Sequence, residues 1–281
     1  MGIALRPAAV GLALASVLYC SAASAQTITE VSQGDHGDFY YSMFVDSGDA
    51  SMTLHDGGHY SAEWHSNVNN WFGGLGWKPA DERIVHYSGD FSPTQGAAYL
   101  SLYGWMENPI IDYYIVESYF GFNPSTSGQF IGSYESDGAI YDLYRYIRVQ
   151  GGINSPFITT YYSVRQQLKG TGAVEGTINT ANHFKAWVDA GLEMSEQQYM
   201  ILATEGYQGQ GTANIYVSSE PIEQDMEPEP SEASKGGANG MGFWLLIGNL
   251  FACAGLRARK RYIRQACRYK RVAASCNSNF Q

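Results

Sequence analysis

The sequence predicts an all-β fold, a sandwich or jelly roll with one helix, and three observations carry that prediction. From about Asp35 to Ser218, short runs rich in Tyr, Val, Ile and Thr alternate with turn clusters: DSGD, HDGG, FGGLGW, SGDFSPTQG, GFNPSTSGQ, ESDG, QGGINSP and KGTGAVEGT. Turn signals every ten or so residues are the mark of sandwiches and jelly rolls. Only ANHFKAWVDAGLEM has a helical period, with Phe184, Trp187, Val188 and Gly191 at i, i+3, i+4 and i+7. No repeat of fixed sequence occurs, which excludes a propeller or solenoid.

The ends of the 281-residue chain read as processing signals rather than fold. Residues 1–25 carry Arg6, the apolar run AAVGLALASVLYC and Ala23-Ser24-Ala25, the layout of a secretory signal peptide. A lipoprotein reading through Cys20 is the weaker alternative, because bulky Tyr19 stands where a small residue belongs. Residues 218–235 hold three prolines and six acidic residues with few apolar side chains. Such a segment buries too little surface to offset its ordering entropy, so it reads as a disordered linker. Residues 236–281 follow with Gly236-Gly237, an apolar run over 241–256 and a basic block from Arg257 to Arg271. The run is near the lower limit for a spanning helix, with a flank that stays cytoplasmic. It resembles the Gly-Gly carboxy-terminal sorting signals of some Gram-negative bacteria, and a plain membrane anchor is the other reading. Either way the expected location is outside the cell or on its surface.

One basic residue lies in the leader and eight in the tail, so the part between carries eight basic against 27 acidic residues, a net charge of −19. Phosphate backbones need clustered Lys and Arg, which argues against nucleic acid as a partner. Solubility and self-repulsion are the expected consequences, with a monomeric body. All four cysteines (Cys20, Cys253, Cys267, Cys276) sit in the terminal segments. The body therefore has no disulfide and no Cys-ligated metal, and relies on its core.

Within the body, His55 and His59 flank a Gly-Gly turn with no third ligand nearby, so no metal is expected. KGTGAVEG and GQGTAN are glycine-rich but precede no helix that would present its N-terminus to a phosphate, and both read as turns. The 21 tyrosines suit strands, and also suit a wet concave face on which rings stack on sugars.

Two strands draw attention. NPIIDYYIVES sets Asp112 in an apolar, aromatic run, where an ionised carboxylate is costly unless paired or wet. Alternation puts Asp112 on one face with Ile110, Tyr114 and Val116, and Tyr113, Ile115 and Glu117 on the other. QQYMILATEGYQG likewise puts Glu205 with Tyr199, Ile201, Ala203 and Tyr207. LSLYGW adds Tyr103 and Trp105 on a shared face. Facing one cleft, the two carboxyl groups would suit glycoside hydrolysis; the alternative is two solvated or ion-paired strand residues.

GGLGW, LYGW, NPIIDYYIVES, YYSVR, NHFKAW and ATEGYQGQG together resemble glycoside hydrolase family eleven, the endo-β-1,4-xylanases, over about residues 36–217. The resemblance implies a β-jelly roll shaped like a partly closed hand, xylan or xylo-oligosaccharides on its concave face, retaining hydrolysis and no cofactor. It implies Glu205 as acid/base, with Asn70 bonded to it, and Tyr103, Tyr114 and Arg148 supporting the nucleophile position. Tyr199 and Tyr207 correspond to cleft tyrosines. Asp112 stands where the family has its nucleophilic glutamate, Phe44 where a tryptophan stacks on the distal sugar, and Thr160 where glutamine is usual. The thumb is the short VQGGINSPF. Three outcomes are open for Asp112: retention with shifted strands, the favoured one; a slow or partly inverting enzyme; or a xylan-binding protein without turnover. Glu117 cannot replace Asp112, because it faces the opposite way.

Overall fold

The computed structural model describes residues 25–149 and 157–222. The leader, the thumb tip, the acidic linker and the Gly-Gly tail with its apolar run over 241–256 lie outside the described residues. Among the described residues no helix is long and apolar enough to cross a membrane.

The body is the expected β-jelly-roll sandwich. Its first strands are β1 (Gln26–Ile28), β2 (Ser32–His36), β3 (Phe39–Val45), β4 (Ala50–His55), β5 (His59–Trp64) and β6 (Asn70–Trp77). The long β7 (Ile84–Glu107) and β8 (Ile111–Phe120) follow, then a 3-10 turn at Pro124–Ser127. After it come β9 (Gln129–Ser136), β10 (Ala139–Val149), β11 (Phe157–Arg165), β12 (Gly172–Asn179), α1 (Thr180–Asp189) and β13 (Glu196–Ser218).

Two strands tie the layers together. The second half of β13 pairs with β5 and with the first half of β7, which also carries β12; β4 and β1 complete this outer layer. The first half of β13 pairs with β6 and the second half of β7, and the inner layer runs on through β8, β11, β10 and β9, with β3 and β2 on the other side. Both long strands change layer where their pairing slips between Tyr207 and Gly211, with Gln208 at φ 45° and Gly96 at φ 77°. Such irregularities bend and twist a strand, letting one chain segment serve two sheets.

This continuity corrects three local expectations. SGDFSPTQG is not a turn but the middle of β7, FGGLGW is the body of β6, and GQGTAN lies within β13. Their glycines serve close approach rather than reversal. A side chain at Gly74 or Gly76 would strike the β13 backbone at Ala203 or Ile201, 2.8 and 2.6 Å from the added carbon. The true reversals are HDGG, DSGD and ESDG, where Gly57, Gly58, Gly48 and Gly138 all have positive φ.

The core between the layers is aromatic and aliphatic: Trp64, Trp71, Tyr60, Leu75, Phe91, Leu100, Leu102, Met200, Leu202 and Ile215 are fully buried or nearly so. Side chains of this size contribute on the order of 2–3 kcal/mol each when buried. α1 packs behind β8, with Phe184 and Trp187 rings 5.5 and 5.2 Å from Tyr113. Its buried stripe is Thr180, His183, Phe184 and Trp187, so the spacing is right and the register is corrected by one turn. Val188 is 56% exposed, and Gly191, φ 77°, lies beyond the helix end.

Glu117 faces the core as expected, and it is fully buried. Tyr87 donates to Oε2 at 2.7 Å, Tyr141 donates to Oε1, and Arg165 Nη1 stands 3.7 Å from Oε2. A buried carboxylate survives only with such partners. Arg165→Met leaves it short of its cation, and we expect a loss of about 3 kcal/mol in urea unfolding, against a change near zero for the exposed pair variant Lys185→Met.

Candidate functional site

Asp112 and Glu205 lie on the inner layer, close enough for the charge of Asp112 to act on Glu205. Asp112 sits on β8 opposite Trp105 of β7 and Thr160 of β11. Glu205 sits on β13 opposite Tyr99 of β7 and Phe72 of β6. Alternation places Tyr40, Phe72, Tyr103, Trp105, Tyr114 and Tyr199 on this same face, separate from the main core. The rings form a continuous floor: Phe44 to Phe72 at 6.1 Å, Phe72 to Tyr103 at 5.2 Å, Tyr103 to Tyr114 at 4.9 Å and Tyr114 to Tyr162 at 5.1 Å. At one end, Phe44, Tyr40, Trp105 and Tyr199 line a cleft of about 760 Å³.

Asp112 is 1% exposed and is not a solvated strand residue. Arg148 Nη2 donates to its Oδ2 at 2.6 Å, whereas its Oδ1 is buried without a hydrogen-bond partner. Burial raises its carboxyl above the ordinary carboxylate range; the Thr160 hydroxyl and then Arg148 counter that rise by favouring the charged form. Thr160 is equally buried, and its Oγ1 stays near the carboxyl without closing a bond of ordinary length and angle. Arg148, 38% exposed, is held more firmly protonated by Asp112 although burial opposes it.

Glu205 differs. It is partly open to the cleft yet crowded by protein atoms, and burial together with the Asp112 charge pushes it up to about 7, with Arg148 opposing. Both carboxylates also raise Tyr114 and Tyr162, after burial, so the four groups share one electrostatic space. Tyr103 is raised by burial, then by Asp112, and Tyr199 rises to about 12, mainly by burial.

The position of Glu205 is fixed by its neighbour. A side chain on Gly206 would meet the indole of Trp71 and stand 2.6 Å from Trp64 Nε1, so only glycine lets β13 lie flat against the two tryptophans. The ATEGYQ stretch thus needs its glycine for packing behind the carboxylate.

The structure brings together Asp112, Glu205, Tyr103, Tyr114, Arg148, Thr160 and Tyr199. Tyr207, in register with Asn70 and two residues past Glu205, is 37% exposed, and Phe44, on the cross-strand row of Glu205 through Phe72, is equally exposed. Asn70 departs from expectation: its Oδ1 is buried without a partner, and among the described residues no hydrogen bond links it to Glu205. Its backbone N–H instead donates to Asp46 Oδ1 at 2.9 Å. Tyr162, Tyr40 and Phe72 were missed. The alternation of Thr160 with Tyr162 in TTYYSVR was the available signal for the first. Among the described residues no cluster of three metal-ligating side chains occurs, and the His55 and His59 rings simply stack at 4.3 Å.

A carboxyl titrating at about 7 in the fold and 4.5 in the free chain binds an extra proton in the native state between those values. Stability therefore falls as pH rises through that window, by at most about 3 kcal/mol. Glu205→Gln removes the penalty: urea titrations should find it more stable than the wild type at pH 8 and level with it near pH 4.

With this geometry in place, likeness to known proteins is informative. Residues 36–216 match the family described as Glycosyl hydrolases family 11. The chain is 45% identical over 219 residues to Endo-1,4-beta-xylanase Xyn11B of Cellvibrio japonicus, covering 74% of this chain and 60% of that protein. It is 44% identical over 205 residues to a Bifunctional xylanase/xylan deacetylase of the same organism, covering 69% of this chain and 30% of that one. With Endo-1,4-beta-xylanase A of Gibberella zeae identity is 39% over 204 residues, covering 71% and 85%. The chain thus spans less than two thirds of the first two relatives and most of the third.

Proposed function

Because the chain belongs to glycosyl hydrolase family 11, we propose that it is an exported endo-1,4-β-xylanase that cleaves internal xylosidic bonds with retention of configuration. One observation carries the reading: two carboxyl groups on one aromatic floor, one tied to an arginine and the other lifted to about 7 partly by its neighbour's charge. Opposed environments of this kind divide nucleophile from acid. Relatives named as xylanases supply the substrate class.

In the proposed mechanism Glu205 holds a proton below neutrality and gives it to the glycosidic oxygen. Asp112 attacks the anomeric carbon from the opposite face, and the glycosidic bond breaks. The oxygen that attacks is Oδ1, since Arg148 already occupies Oδ2. Arg148 also keeps Asp112 ionised in a buried site, and it steadies the carboxylate that returns as leaving group. Glu205, now charged, takes a proton from water as that water attacks the glycosyl ester, and the second inversion restores the β-configuration.

Aspartate shortens the reach by one methylene, roughly 1.5 Å. Retaining enzymes hold their carboxyl groups about 5–5.5 Å apart, and a misplacement of about 1 Å costs on the order of 100-fold. Thr160, on β11, stands in register with Asp112 with its hydroxyl near the carboxyl, and Oδ1 is the carboxylate oxygen that Arg148 leaves uncommitted. The binding-protein alternative has no use for a carboxyl poised near neutrality. Export rests on the signal-peptide pattern of residues 1–25, and the Gly-Gly tail is proposed to act in sorting.

We expect NMR of the first products from xylohexaose to show β-anomers, with α-anomers marking inversion and no product marking a binding protein. Glu205→Gln should lose about 100- to 10,000-fold in kcat on xylan, and Asp112→Glu should keep or raise activity. The pH profile of kcat/KM should fall tenfold per pH unit above about 7, as Glu205 loses its proton. Its acid limb should lie above 3.8, the ordinary aspartate value, as Asp112 gains one. A profile flat from pH 6 to 9 contradicts the assignment of Glu205.

A further inference from the structure

The cleft of about 760 Å³ lined by Phe44, Tyr40, Trp105 and Tyr199 also carries two charges that the hydrolytic reaction does not use. Lys78, the residue after Trp77 at the end of β6, is the one cation of its lining, and Glu107 at the end of β7 is the one carboxylate. Both are exposed. Glu107 accepts from the Trp105 indole N–H at 3.4 Å. Lys78 has a ring instead, with its Nζ 5.3 Å from the centroid of Tyr40. That is within the roughly 6 Å reach of cation–π attraction, which holds the ammonium at the cleft wall. Tyr40 makes a firm base: it is buried, its ring lies 5.1 Å from that of Tyr199, and its hydroxyl donates to Gln33 Oε1 at 2.8 Å.

This placement matters because cations are scarce. The part of the chain between leader and tail has a net charge of −19. Among the described residues Arg148, Arg165 and Lys185 each stand within ion-pair distance of a carboxylate, and Lys78 has no carboxylate so close. An anion entering the cleft therefore meets an ammonium that no protein carboxylate has neutralised. Coulomb attraction draws that anion to Lys78, and repulsion keeps it from Glu107. Gln33, also in the lining, adds an NH2 donor, since the Tyr40 hydroxyl occupies its oxygen.

We infer that Lys78 is a specificity-determining residue that recognises xylan bearing carboxylate side groups, the uronic acid branches of acidic xylans. The inference rests on the hydrolase reading of Asp112 and Glu205. The aromatic rings of the cleft suit the neutral xylose backbone, and its unneutralised ammonium suits a branch with one negative charge. Neither Asp112 nor Glu205 lines this cleft, so the contact acts through binding and not through the bond-breaking step. At an exposed site the attraction is modest and is screened by salt.

Two polymers that differ only in charge test it: glucuronoxylan, and the same glucuronoxylan with its carboxyl groups reduced to alcohols. Lys78→Met should raise KM on glucuronoxylan about threefold at low salt, with kcat unchanged. On the reduced polymer it should change neither constant, and in about 1 M salt the difference should vanish. Lys78→Arg should behave as the wild type. So should Lys185→Met, which removes a charge from the helix instead. An unchanged KM on glucuronoxylan, or an equal rise on both polymers, overturns the inference. Should the wild type turn over neither polymer, the hydrolase reading fails by itself. Affinity electrophoresis in gels holding either polymer then decides the role of Lys78. A dissociation constant about threefold higher for Lys78→Met on glucuronoxylan alone supports it, and equal constants for variant and wild type contradict it.

Discussion

The ion pair between Asp112 and Arg148 is the constraint around which the site is organised. A carboxylate that is 1% exposed, on a strand otherwise made of Ile, Val and Tyr, is expensive to keep charged. Arg148 at 2.6 Å makes the charged form tolerable, and that charge in turn acts on Glu205. The two carboxyls are thus not independent. Stabilising one as an anion helps hold the other as an acid, which is the division of labour that glycoside cleavage needs.

The scaffold makes this possible by separating its two kinds of buried polar chemistry. On the core side of β8, Glu117 is satisfied by Tyr87 and Tyr141, with Arg165 nearby, and offers no open surface. On the cleft side, Asp112 keeps one oxygen without a partner. Both are acidic residues of one strand, five positions apart, and alternation sends them to opposite fates. A fully satisfied carboxylate holds the fold together; a half-satisfied one leaves an oxygen uncommitted for chemistry.

Much of this was legible in the sequence. Period-two alternation assigned Asp112, Tyr114, Glu205 and Tyr199 to the cleft face and Glu117 away from it, because a strand has only two faces. The helix was visible from Phe184 and Trp187. Its exact stripe was not, since Val188 is as apolar as a core residue and His183, a polar type, is the one buried. Glycine clusters misled where they lie inside β6, β7 and β13. Glycine marks both reversal and close strand approach, and only long-range pairing tells them apart. Tyr162 could be read from its alternation with Thr160, but its stacking on Tyr114 exists only through the parallel register of β11 on β8, which no local pattern encodes. The Arg148–Asp112 contact came from family resemblance, not from spacing.

The central claim is that the Asp112 charge helps set the proton affinity of Glu205. Carbon-13 NMR of carboxyl-labelled protein, followed across pH in the wild type and in Asp112→Asn, measures it directly. The account predicts that Glu205 titrates at about 7 in the wild type and markedly lower once the Asp112 charge is gone. A Glu205 that titrates near 4.5, or one whose midpoint ignores the Asp112 substitution, would contradict it.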